Sequence, residues 1–164
     1  MSPMSTRSAS TLVFLLSALA LSVAGGAFGS SRISTQAHFR SPSGNINCYL
    51  QDGRGTPPFV DCLVVKNRWR TLPSKPRSCD VDFYPAEIAL GATGRTTIGS
   101  CRGDVGPSCL PRSGFGCTTL AYGRAITTRH FVCRSAQNGI TCLVRGRARR
   151  LGFRIARERY VVYR

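Results

Sequence analysis

Eight cysteines, at positions 48, 62, 79, 101, 109, 117, 133 and 142, constrain this chain more than any other feature of its 164 residues. Their number is even, and no two are spaced as C-x-x-C. Structural zinc and thioredoxin-type redox chemistry both want that spacing, so neither is expected, and no metal or other cofactor is implied. What remains is a disulfide framework, for which eight cysteines allow about 105 connectivities. Disulfides persist in oxidising compartments, and the start of the chain agrees with export. Arg7 precedes an apolar run from Leu12 to Ala24, too short for a typical membrane span, and small residues follow it. Cleavage after Ala24 or Ala27 is expected, giving a signal peptide over 1–27, a flexible lead-in over 28–37 and a single disulfide-rich domain over 38–164. An uncleaved anchor is the competing reading, and the shortness of the run weighs against it. No cysteine directly follows the run, and the end, Tyr160-Val161-Val162-Tyr163-Arg164, carries no sorting tail. The expected location is therefore secreted or in the cell envelope, without a transmembrane span in the mature chain.

From His38 onward the apolar residues come in short runs broken by Gly, Pro and Ser, which predicts an all-β fold, an antiparallel barrel or sandwich. Two stretches echo each other. Phe39-Arg40-Ser41-Pro42-Ser43-Gly44-Asn45-Ile46-Asn47-Cys48 leads through a Ser/Gly/Asn turn to Ile-x-Cys, and His130-Phe131 leads through Asn138-Gly139 to Ile140-Thr141-Cys142. Gly and Asn accept the positive φ of tight turns, while Ile and Phe suit a pleated strand. Ile46, Cys48 and Leu50 alternate with polar neighbours, and a short loop leads on to the strand 59–65, so antiparallel pairing brings Cys48 to Cys62. Cys79 pairs naturally with Cys101 within the middle section, and the Gly/Pro/Ser-dense loop 103–116 is closed by a Cys109–Cys117 bridge of its own. In the hairpin 131–144, a two-residue turn at Asn138-Gly139 would set Cys142 opposite Ser135, whereas a four-residue loop from Ala136 to Gly139 sets it opposite Cys133. Only the second permits a bridge, since bonded cysteines need Cα atoms within about 7 Å. Trp69, the one tryptophan, reads as a lid on a small core, with a ligand platform as the alternative. Phe153 and Ile155 should face inward with Arg154 outward, and Arg157-Glu158-Arg159-Tyr160 could begin a short helical turn.

At these residues the chain resembles an uncharacterised family of secreted actinobacterial proteins known as a domain of unknown function. The pattern runs F-x-S-P-S-G-N-I-x-C, a Trp between prolines and cysteines, L-x-Y-G, F-x-C, G-x-T-C and G-F-x-I-[AS]-R-E-x-Y. The matching positions are 39–48, Trp69, 120–123, Phe131 with Cys133, 139–142 and 152–160. Family members have T-G-H-G-F before the last strand, where this chain has Arg149-Arg150-Leu151-Gly152-Phe153. Cys109 and Cys117 look like additions to a six-cysteine framework. The resemblance implies export and a disulfide-bonded fold, and it implies no activity.

Charge gives the remaining functional clue. Lys and Arg total 23 against 7 Asp and Glu, a net +16, and Lys66 and Lys75 are the only lysines. Such an excess attracts polyanions: a cell-envelope glycan, nucleic acid or anionic lipid. An Arg-favouring codon bias would explain Arg over Lys but not the scarcity of acids. The densest cluster is the tail, where Arg145, Arg147, Arg149, Arg150, Arg154, Arg157 and Arg159 surround Phe153 and Tyr160. Arg forks grip phosphate or carboxylate, and aromatics stack on bases or sugars, although charge on a strand edge also serves to block association. The expected role is a non-enzymatic binding protein using this Arg-rich face. The alternative is a ribonuclease-like hydrolase with His38 and His130 as acid and base, although both histidines also simply precede a strand Phe. Arg102-Gly103-Asp104 spells an adhesion tripeptide, and Gly103-Asp104-Val105-Gly106-Pro107 faintly resembles a serine-protease stretch with Val105 at the nucleophile's place. Asp80 and Asp82 fall on the same side of an extended segment, as paired carboxylates for glycoside hydrolysis would, but with 7 acids in all they read rather as turn residues or partners of arginines.

Overall fold

The computed structural model describes residues 36–53, 55–104, 106, 107, 109 and 116–164. The expected signal peptide and residues 28–35 of the expected lead-in lie outside the described residues, whereas Gln36 and Ala37, expected in the lead-in, already belong to the first strand. Eleven strands form, and among the described residues there is no helix. They are β1 (Gln36–Arg40), β2 (Ile46–Gln51), β3 (Phe59–Val64), β4 (Phe83–Gly91), β5 (Thr96–Cys101), β6 (Cys117–Thr119), β7 (Ala125–Thr127), β8 (Phe131–Ala136), β9 (Gly139–Val144), β10 (Gly152–Ile155) and β11 (Tyr160–Tyr163). A six-stranded sheet runs β5-β4-β3-β2-β1-β6 and a five-stranded sheet β11-β10-β9-β8-β7. All pairings are antiparallel except β1 with β6. The molecule is a sandwich; the sheets do not close into a barrel.

Alternation decides which side chains meet between the sheets. Cys48 and Leu50 of β2, Val60 and Cys62 of β3, and Ile88 and Leu90 of β4 face inward and are fully buried. Phe131 and Cys133 of β8, Ile140 and Cys142 of β9, and Phe153 and Ile155 of β10 meet them from the other sheet. All belong to one core cluster. Arg154 points outward from β10, as alternation requires.

Cys48 lies opposite Cys62 and Cys133 opposite Cys142, each pair with Cα atoms 4.1 Å apart. Each sheet thus carries a cross-strand disulfide on its inner face. Cys79–Cys101 and Cys109–Cys117 complete the four expected bridges. The β8–β9 loop differs from expectation. Cys133 does face Cys142, but Ala136 still pairs with Gly139, so the connection is the two residues Gln137-Asn138 rather than four. Gly139, with φ +117°, is therefore the first residue of β9 and not a turn residue. A side chain at Gly139 would collide with the Ile155 carbonyl, so this glycine lets β9 lie close against the end of β10.

Two further departures have local causes. Arg157-Glu158 forms a hairpin turn and not a helical one: the Ala156 amide donates to the Arg159 carbonyl at 3.0 Å, and Ile155 pairs with Tyr160. The pairing available to Tyr160 through Tyr163 outweighs one isolated helical turn. Pro85 sits inside β4, where it cannot donate to the ladder, and the register with β5 slips between Tyr84 and Ile88.

Candidate functional site

The connections at one end of the sandwich enclose two neighbouring clefts. The first, about 620 Å³, is lined from both echo stretches at once: Ser43 and Asn45 from the β1–β2 turn, Gln137 and Asn138 from the β8–β9 turn. Lys66 after β3, Tyr122 before β7 and Arg157 of the β10–β11 turn complete its wall. The second, about 670 Å³, runs from Arg68, Trp69 and Arg70 to Arg159 and Tyr160. Glu158 borders both clefts, so the β10–β11 turn is the ridge between them.

The walls are built by local bonding. Ser41 is buried; its carbonyl takes the Gly44 amide at 2.9 Å and its Oγ the Ile46 amide at 3.1 Å, with Gly44 at φ +70°. Asn45 spans to the next segment: its Oδ1 accepts from the Lys66 amide at 2.9 Å and its Nδ2 donates to the Lys66 carbonyl at 3.2 Å. Trp69 does act as a lid, with only 8 % of its surface exposed. Its Nε1 donates to the Ala156 carbonyl at 2.8 Å, its ring lies 4.7 Å from that of Tyr160, and the Arg68 amide donates to the Arg157 carbonyl at 2.7 Å. These three contacts fasten segment 66–71 to the β10–β11 turn and bring Lys66, Arg68 and Arg70 beside Arg157 and Arg159. Glu158 is the one acid in either lining, and it reaches Arg157 only at 4.0 Å while both are exposed. An exposed pair at that distance neutralises little.

The tail arginines do not form one face. Arg157 and Arg159 stand at the clefts, and Arg154 lies on the outer face of the five-stranded sheet. Arg145, Arg147, Arg149 and Arg150 are exposed on the β9–β10 loop at the other end of β10. There Arg150 stacks over Tyr163, 4.4 Å from the ring centre. Sequence reasoning missed Lys66, Arg68 and Arg70 because their neighbours in space are distant in the chain.

His38 and His130 are likewise separated. His38 lies on the outer face of the six-stranded sheet, its ring 4.6 Å from Tyr49, and burial lowers its pKa. His130 leads into β8 and meets Asp52, which continues the inward-facing series Cys48, Leu50 past the end of β2. Asp52 takes the His130 amide on Oδ2 at 2.8 Å and the His130 Nδ1 on Oδ1 at 2.5 Å. Burial raises the Asp52 pKa, but hydrogen bonds from Thr128 and His130 and the His130 charge outweigh it, and the net shift is downward. An acid extending an inward row was the signal that could have found this pair.

The remaining charged cluster is structural in form. Asp61 of β3 and Glu87 of β4 are buried on the outer face of the six-stranded sheet. Arg102 donates to both and lies over the Tyr84 ring at 4.8 Å, and its Nε sits 3.1 Å from Asp104. The adhesion-like tripeptide is therefore not on display, because its arginine is engaged by carboxylates. No group of three or more metal-ligating side chains occurs among the described residues, and no helix there is long and apolar enough to cross a membrane.

A family model described as a family of unknown function (DUF6636) matches residues 12–163. No curated protein and no solved structure matches the chain.

Proposed function

The chain belongs to DUF6636, a family with no assigned activity, and we propose from its own geometry that it is a secreted or envelope-associated bacterial protein whose clefts bind an anionic polymer without altering it. The observation that carries this reading is the pair of clefts divided by the β10–β11 turn. Lys66 and Arg157 face one, Arg68, Arg70 and Arg159 the other, and Glu158 is the single acid among the lining residues. Clustered cations in a concave surface concentrate polyanions and steer them in.

The lining also narrows the partner. Gln137, Asn138, Ser43 and the exposed Tyr122 offer hydrogen bonds and one aromatic surface, which suits a hydroxyl-bearing polymer such as an acidic envelope glycan better than a lipid surface. Membrane attachment would call for an apolar face beside the basic one. Four disulfides fit an oxidising location outside the cytoplasm.

The test is retention of the mature protein on immobilised acidic glycan, on RNA and on anionic vesicles, each at low and high salt. Retention on the glycan that falls with salt, and that weakens when Arg157 and Arg159 are both changed to Gln, is the expected result. Equal retention of the double variant would remove the clefts as the binding site.

A further inference from the structure

We propose that His130, held by Asp52, is the proton acceptor of a second site, one that cleaves phosphodiesters carrying a hydroxyl group next to the phosphate. This site lies at the other end of the sandwich from the clefts and does not depend on what they bind.

The geometry is that of an oriented base. Asp52 has a side chain only 1 % exposed, whereas that of His130 is 35 % exposed. One oxygen of Asp52 secures the His130 main-chain amide, which already satisfies the fold. The other binds Nδ1, which a part-exposed ring does not need for its solvation. In the neutral ring that bond favours the proton on Nδ1 and the lone pair on Nε2, which makes no hydrogen bond to any described residue. A carboxylate on one ring nitrogen and an open second nitrogen is the arrangement of Asp–His general bases.

The surroundings supply the anion-binding half. The Arg145 amide donates to the His130 carbonyl at 2.8 Å, and its Nη1 donates to the Thr128 carbonyl at 2.5 Å. Arg145 is thus tied to the loop that carries His130, with no carboxylate partner among the described residues. Arg129 is exposed beside it in the chain, and Arg147, Arg149 and Arg150 are exposed on the same loop as Arg145. A phosphodiester drawn to these charges is brought to the end of the sandwich where His130 stands.

The step balances without a metal or co-reactant. Nε2 takes the proton of the neighbouring hydroxyl, and the freed oxygen forms a bond to phosphorus. The bond from phosphorus to the departing oxygen breaks, and the imidazolium returns the proton to that oxygen. The products are a cyclic phosphate and a new hydroxyl end. Arg145 offsets the negative charge that grows on the phosphoryl oxygens. RNA and polyol-phosphate polymers share this chemistry; DNA lacks the hydroxyl.

The experiment incubates the mature protein with RNA, with poly(glycerol phosphate) and with DNA of similar length, and reads chain length and cyclic-phosphate ends. Cleavage of RNA or of poly(glycerol phosphate) supports the proposal, and which of the two is cut identifies the source of the substrate. His130→Ala and His130→Gln, each checked for an unchanged thermal midpoint, should lower the rate about a hundredfold or more. Asp52→Asn should lower kcat at least about tenfold with KM nearly unchanged, as expected of a positioning residue. Cleavage of neither hydroxyl-bearing polymer, equal cleavage of DNA, or full activity in both His130 variants would overturn it.

Discussion

Glu87 and Asp61, on neighbouring strands of the six-stranded sheet, share one cation, with Arg102 donating to both. Burial is the largest cause that pushes the Glu87 pKa up to about 9, followed by its hydrogen bond to Asp61 and the repulsion between the two acids; Arg102 only partly offsets them. Native Glu87 therefore keeps a proton that the unfolded chain gives up at its ordinary value of 4.5.

The sign of the pH effect follows. Between those two values the native state binds the extra proton, so this contribution is complete below 4.5 and is lost as pH rises through about 9. His38 acts oppositely, since burial lowers its pKa from 6.5 and its share grows as pH rises toward that value. Measurement above neutrality separates them. The urea midpoint should fall from pH 7 to pH 9, with a slope approaching about 1.4 kcal/mol per pH unit. Glu87→Gln, which keeps the hydrogen bond and removes the titration, should flatten that slope; an unchanged slope would show that another group causes it.

The bridges should differ in their resistance to reduction. Cys48, Cys62, Cys133 and Cys142 are fully buried on the inner faces, whereas Cys101 is exposed and Cys117 partly so. A thiolate reaches a disulfide only where it has access. Mild reduction of the folded protein followed by alkylation should label Cys79, Cys101, Cys109 and Cys117 first. The cross-strand pairs should take label only under denaturing conditions, and early label on Cys133 or Cys142 would contradict the buried placement.

All four pairings were legible in the sequence because each depends on strands or loops close in the chain, with partners at most 22 positions apart. Inward and outward alternation in β2 and β10 was legible for the same reason. The site was not. Asp52 meets His130 only because two sheets stack, across 78 positions, and Lys66, Arg68 and Arg70 reach the β10–β11 turn only because Trp69 docks there. The tail arginines looked like one cluster because they are adjacent in sequence. Yet β10 is only 4 residues long and separates two of its flanking arginine groups to opposite ends. The four-residue loop expected from Ala136 to Gly139 erred because cross-strand pairing of Ala136 with Gly139 shortens the turn.

Gly139→Ala should be costly although the change adds one methyl group. The position holds φ at +117°, and the added carbon would meet the Ile155 carbonyl and the Ala156 side chain. A loss of about 2 kcal/mol or more in urea unfolding is expected. Gly123→Ala is the control: its φ of +80° is also unfavourable, but no atom lies within 4 Å of the added carbon. The two variants therefore separate collision with β10 from backbone strain, and Gly139→Ala must be the more damaging of the two.

Trp69 gives a direct readout of the second cleft. It is the only tryptophan, 8 % exposed, and it lines that cleft between Arg68 and Arg70. Its emission should be that of a buried indole in the free protein. A polyanion bound along Arg70 and Arg159 must pass close to the ring or shift Tyr160 against it, so titration should change the intensity or wavelength in a saturable, salt-sensitive way. Arg159→Gln should weaken the apparent affinity while leaving the free spectrum nearly unchanged, because among the described residues Arg159 makes no hydrogen bond or cation–π contact with the indole. A polymer retained on the protein without any change in Trp69 emission would exclude the second cleft and leave the first, around Lys66 and Arg157, or the arginines of the β9–β10 loop as the place where it binds.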